Sequence, residues 1–227
     1  MLFTSVFMLL PLGFVLLGLY RLVTRSQARE EAQNTVAVWA AWNGYGPGDH
    51  PSTGATPTLS IPAATAGEAF QVPMGATQGA LFLWSWPVED RGETLPLSTL
   101  EVTVVQAMLA AGFPHFRVVP RHGWVAPSTL EEREVQLESV EFSASFRLLA
   151  GRDGDQQALV RLFDPSTIVW LIGLGETAPV IEYQLGTLAV VSRHPAETDV
   201  ELDALVEQAR HVAERVLAEG LLRNPAA

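Results

Sequence analysis

Gly173-Leu174-Gly175-Glu176-Thr177-Ala178 fits the loose G-x-G-x-x-A pattern, in which a glycine-rich turn lets backbone approach a pyrophosphate. That chemistry needs a strand before the first glycine and a helix directly after the last. Pro179 and the strand-like Val180-Ile181 follow instead, so the segment reads as a helix stop and turn. Glu138 and Glu141 are the acid pair to inspect for proton transfer, because burial can bring a carboxyl toward neutral pH. Three apart on a strand, they point to opposite faces, and an ion pair of Glu141 with Arg147 or Arg117 on a polar face is the simpler reading. Ser139, Ser143 and Ser145 have no histidine near them in the chain to act as a base. His50, His115, His122, His194 and His211 fall in separate elements without metal-ligand spacing, and Asp153-Gly154-Asp155 lacks the further ligands of a calcium loop.

The chain contains no cysteine, which excludes disulfides, cysteine-ligated zinc, iron–sulfur clusters and thiol catalysis. All 14 basic residues are arginine, so Schiff-base and P-loop lysines are excluded as well. No G-x-S-x-G, H-E-x-x-H or Walker-type segment occurs. The sequence thus nominates no catalytic, cofactor-binding or metal-binding residue and no cofactor. A net charge of −11 argues against nucleic acid as a partner, since that requires a basic face.

The elements that would position a site are mostly strands. Leu81–Trp86 is a short apolar run closed by Pro87, Leu100–Val105 is rich in β-branched residues, and Phe116–Val119 lies between prolines. Val140–Leu148 alternates apolar and polar residues and reads as a strand with Phe142 and Phe146 on its buried face. Ile181–Leu185 and Thr187–Ser192 flank Gly186 as a hairpin. Asp155 caps a short helix to Phe163, and Asp164-Pro165 starts another that runs to Gly173. Thr198 and Glu201 form a capping box ahead of an apolar stripe from Leu202 to Leu217, closed by Gly220. The pattern predicts an α+β fold with a mostly antiparallel sheet and segregated helices.

Residues 1–20 carry no charged side chain, and Arg21, Arg25 and Arg29 follow at once. About 20 helical residues at ~1.5 Å each reach across a ~30 Å hydrocarbon core. With the arginines on the C-terminal flank, the positive-inside rule puts the N-terminus outside and the rest in the cytoplasm. A signal peptide would need a basic n-region and an Ala-x-Ala site, which are missing. The expected organisation is a transmembrane signal anchor at 1–22 that meets the lipid bilayer, a helical stalk at 23–43 and a cytoplasmic α+β domain at 44–227. Trp39, Trp42 and Tyr45 are expected to pack against that domain.

Phe113-Pro114-x-Phe116-x-Val118-x-Pro120-Arg121, Leu137-Glu138-Ser139-x-Glu141-Phe142-x-x-x-Phe146-Arg147 and the Asp164–Leu171 helix resemble an uncharacterised family of single-pass membrane-anchored actinobacterial proteins. The resemblance implies an N-terminal membrane helix followed by an α+β domain of unknown function. It carries over no site residue, and Ser143 stands where that family usually has Asn. The expected function is a membrane-tethered, non-enzymatic interaction or scaffold domain with a protein partner. The alternatives are a membrane-anchored hydrolase and an accessory subunit of an integral membrane complex.

Overall fold

The computed structural model of the protein describes residues 20, 24, 27, 29–48, 65–88, 98–109, 112–122, 131–152 and 154–223. The expected anchor at 1–22 lies outside the described residues except for Tyr20. Among the described residues no single helix is long and apolar enough to cross a membrane.

Eight strands form one sheet: β1 (Thr65–Met74), β2 (Thr77–Val88), β3 (Ser98–Met108), β4 (Phe116–Pro120), β5 (Glu132–Val135), β6 (Phe146–Gly151), β7 (Val180–Gln184) and β8 (Thr187–Val191). Their spatial order is β1-β2-β3-β8-β7-β4-β6-β5, and every neighbouring pair is antiparallel. Two-residue turns set the register of the β1–β2 and β7–β8 hairpins. Gly75 takes φ 66° between Met74 and Thr77, and Leu185 (φ 48°) with Gly186 (φ 82°) joins Gln184 to Thr187. The second hairpin is the one expected around Gly186. Pro87 does not close its run: β2 continues to Val88, paired with β3, and among the described residues it has no β1 partner beyond Ser85, so a proline there displaces no described ladder bond on that side.

The helices are α1 (residues 29–42), α2 (Val140–Ser145), α3 (Gln156–Leu162), α4 (Pro165–Leu174) and α5 (Asp199–Arg223). Their buried side chains, among them Val36, Phe142, Leu159, Leu171 and Leu202, join one core with Leu81, Val105, Phe116, Tyr183 and Val190 from one face of the sheet. A second buried cluster on the other face holds Phe82, Val102, Val104, Val119, Val180 and Val191. Segregation of the described helices to one face gives the expected α+β class.

One strand assignment is overturned. Val140–Ser145 is helical, and only from Phe146 does the chain extend. Phe142 and Phe146 are both buried, as alternation predicts, but a spacing of four satisfies periods of 2.0 and 3.6 alike. Local capping decides for helix: Ser139 Oγ accepts from the Phe142 N–H at 3.1 Å, and the Phe146 N–H closes the turn on the Phe142 carbonyl. The other caps fall where their residue types place them. Asp155 accepts from Gln157 and Ala158, Asp164 accepts from Thr167 ahead of Pro165, and Thr198 and Glu201 bond reciprocally. α4 runs past Gly173 to Leu174 and α5 past Gly220 to Arg223.

α1 is fastened to the domain. Val36, Trp39 and Ala40 are buried, Trp39 Nε1 donates to Asp203 Oδ1 on α5 at 2.8 Å, and the Trp39 and Tyr45 rings lie 5.3 Å apart. Trp42 departs from expectation, with 86% of its surface exposed. Gln33 lies beside Gly67 at the start of β1, so α1 begins near the end of the sheet where β4 and β8 finish and β6 starts.

Candidate functional site

An open cleft of about 850 Å³ sits at that same end of the sheet. β4 and its exit supply Pro120 and His122, the α2–β6 junction Ala144, Ser145 and Phe146, the end of α4 Ile172 and Gly175, the following 3-10 turn Glu176 and Thr177, and the exit of β8 Arg193 and His194. Gly175 turns the chain out of α4 with φ 56°, where a side chain would be strained.

The Arg193 guanidinium ties the cleft together. One terminal nitrogen donates to the Glu176 carbonyl at 3.0 Å and the other to the His122 carbonyl at 2.7 Å. Its loop is latched to β3. The Ser192 N–H meets the Thr103 carbonyl at 2.9 Å, the Thr103 N–H meets Ser192 Oγ at 2.8 Å, and the Ala196 N–H meets Thr103 Oγ1 at 2.8 Å. Ser192 Oγ donates onward to the His194 carbonyl. His194 Nδ1 lies 3.0 Å from the Pro195 carbonyl, an acceptor only, so this nitrogen carries the proton and Nε2 is the acceptor of the neutral ring. Thr177 Oγ1 donates to the Leu174 carbonyl at 2.7 Å. Below the loop, Glu201 is held under the ordinary glutamate range by the Glu197 N–H. Burial opposes this, while the Thr198 groups and the His194 charge assist it.

A second polar constellation lies within the sheet. His115 Nε2 and Arg117 approach the two Glu132 oxygens at 3.0 and 2.7 Å, and His115 Nδ1 meets the Tyr183 carbonyl at 3.0 Å. Arg117 is 3% exposed, so this buried carboxylate serves to neutralise a buried guanidinium. Next to it, Glu134 bridges Arg121 at 2.6 Å and Arg147 at 3.1 Å. The expected pairing of Glu141 with Arg147 or Arg117 is therefore not the one made. Glu141 sits exposed on α2, and β5, which periodicity did not mark as a strand, supplies the carboxylates. Burial raises the Tyr183 hydroxyl above its usual range, opposed by the bond with the Phe113 backbone.

The residues singled out from the sequence scatter. Glu138 and Glu141 are exposed and outside the cleft, Ser139 is a helix cap, and His50 and Asp153 lie outside the described residues. His211 on α5 lies against Trp170 of α4, with ring centroids 4.3 Å apart and the planes tilted by 31°. Gly173–Ala178 ends a helix and makes a turn, as read from Pro179. The structure does bring Ser145 together with His122 and His194, which are 23 and 49 positions away in the chain. Among the described residues no hydrogen bond joins Ser145 to either ring, and none of the described His, Asp and Glu side chains group in threes at metal-binding distance. No local signal marks this convergence, because it depends on which strand ends lie side by side.

No family model matches the chain, and no curated protein matches it. Among solved structures, the mycobacterial trehalose monomycolate transport factor A, TtfA, is similar in fold. The TM-score is 0.56 at 11% sequence identity, over 82% of this chain and 96% of that one. The neighbour is mycobacterial, in keeping with the actinobacterial resemblance, and at this identity the likeness is one of fold.

Proposed function

We propose that this protein is a non-enzymatic accessory factor in moving a glycolipid, tethered to the membrane by residues 1–22 with its α+β domain in the cytoplasm. The observation that carries the reading is the shared fold over nearly the whole length of a protein described as a trehalose monomycolate transport factor. Such a domain acts by binding, and a tether raises its encounter rate with membrane partners without adding a contact. The rigid seating of α1 through Trp39 supports this, because a helix leading from a membrane would fix the orientation of the domain.

Complementation of a deletion strain tests the proposal. The full chain should restore export of the glycolipid, a fragment lacking residues 1–22 should not, and an affinity pull-down of the solubilised full chain should recover a membrane protein. A reporter active only in the cytoplasm should work when fused after Ala227, and an exported reporter should be silent. The hydrolase alternative draws on Ser145 beside His122 and His194. Failure of Ser145→Ala to complement at normal protein levels would favour it over the accessory reading.

A further inference from the structure

We propose that the cleft at the ends of β4 and β8 binds the uncharged sugar headgroup of an amphiphile. This deepens the glycolipid reading above and rests on it. The cleft has two kinds of wall: Ala144 and Ile172 offer carbon surface, while Arg193, Glu176 and His194 offer polar groups. Its volume of about 850 Å³ suits a disaccharide with the first part of an acyl chain.

The balance of donors and acceptors selects the ligand class. Arg193 uses two of its N–H groups on the His122 and Glu176 carbonyls, and its remaining donors are held in a fixed plane. Glu176 is acceptor-only when ionised, and His194 Nε2 accepts because Nδ1 is committed to the Pro195 carbonyl. A phosphate or carboxylate only accepts, so it would satisfy Arg193 while facing the Glu176 carboxylate acceptor to acceptor. A sugar hydroxyl both donates and accepts and can answer all three. Because carbonyls and the Thr103 latch already hold Arg193 and His194 in place, little ordering of these two is left on binding. The cleft also opens at the sheet end where α1 begins, the side from which a membrane-tethered helix would arrive.

Calorimetric titration of the full chain in phosphatidylcholine nanodiscs tests this, with 6-O-octanoyl trehalose, free trehalose and octyl phosphate as probes. The ester should bind, and Glu176→Ala and His194→Ala should each weaken it about tenfold, the loss expected of one hydrogen bond to a charged or fixed polar group. Both side chains are exposed, so the variants should melt like the parent. Octyl phosphate binding as tightly as the ester would make this an anion site and overturn the proposal. So would absence of ester binding, or ester binding unchanged in both variants. Ester binding in a protein whose deletion leaves glycolipid export normal would overturn the transport role and leave the site standing.

Discussion

Phe142 gives the sharpest test of how the centre of the chain folds. It is 1% exposed, its ring stacks on Phe146 at 5.4 Å between centroids, and it tilts toward Phe163 at 6.4 Å. Burying a phenylalanine removes at least ~150 Å² from water, which at ~25 cal/mol per Å² is about 4 kcal/mol. Two ring pairs add about 0.5–1.5 kcal/mol each, while alanine keeps part of the buried area and the cavity relaxes, so Phe142→Ala should cost about 3–5 kcal/mol. That loss alone does not separate helix from strand, but one neighbour does. Ser139→Ala removes the cap on the Phe142 N–H and should cost about 1 kcal/mol. Urea unfolding of the detergent-solubilised full chain, followed by circular dichroism, reads each as a shift in midpoint at constant slope. A Phe142→Ala loss under about 1 kcal/mol would refute the burial argument. Ser139→Ala without effect would refute the helix.

Two carboxylates should set the acid limb of stability. Burial alone would raise Asp164, but the Ser166 hydroxyl at 2.7 Å, the Thr167 N–H at 2.8 Å and Arg215 at 2.5 Å outweigh it and hold Asp164 well below the usual carboxylate range. Its contribution is present above the unfolded value of about 3.9 and is lost as pH falls through the folded one, and Glu201 behaves likewise below about 4.3. Unfolding measured from pH 5 to 2 should be less pH-dependent in Asp164→Asn, which keeps the cap but cannot titrate; an unchanged slope would contradict the assignment. At the alkaline end, the raised Tyr183 favours the neutral ring in the fold, so stability should fall as pH rises past about 10, and Tyr183→Phe should flatten that limb. Leu185 holds φ 48° with its side chain 78% exposed, so Leu185→Gly should stabilise by about 1 kcal/mol in the same urea assay, and destabilisation would show that the leucine contributes contacts in the fold. Trp39→Phe should cost about 1 kcal/mol by losing the bond to Asp203, with little further loss when combined with Asp203→Ala.

Residue types alone determined the features that depend on near neighbours. The Asp164-Pro165 start, the Thr198–Glu201 capping box, the Gly186 hairpin and the turn after Gly173 each follow from side chains that bond backbone two to four positions away, or from a backbone conformation few residues accept. The exclusion of thiol and lysine chemistry likewise follows from composition. Where two periods share a spacing, as at Phe142 and Phe146, pattern alone could not choose, and a single cap from Ser139 decided. β5 escaped notice because Glu132-Arg133-Glu134-Val135 has only one apolar residue. It exists as a strand because β6 pairs with it and its carboxylates meet Arg117, Arg121 and Arg147. The cleft belongs wholly to the tertiary structure. His122, Ser145, Glu176 and Arg193 sit on four elements and meet only because β4 and β8 run parallel with β7 between them, so that both finish at the end of the sheet where β6 starts. Strand order is fixed by long-range pairing and by burial on two faces of one sheet, energies that no local window of the chain contains.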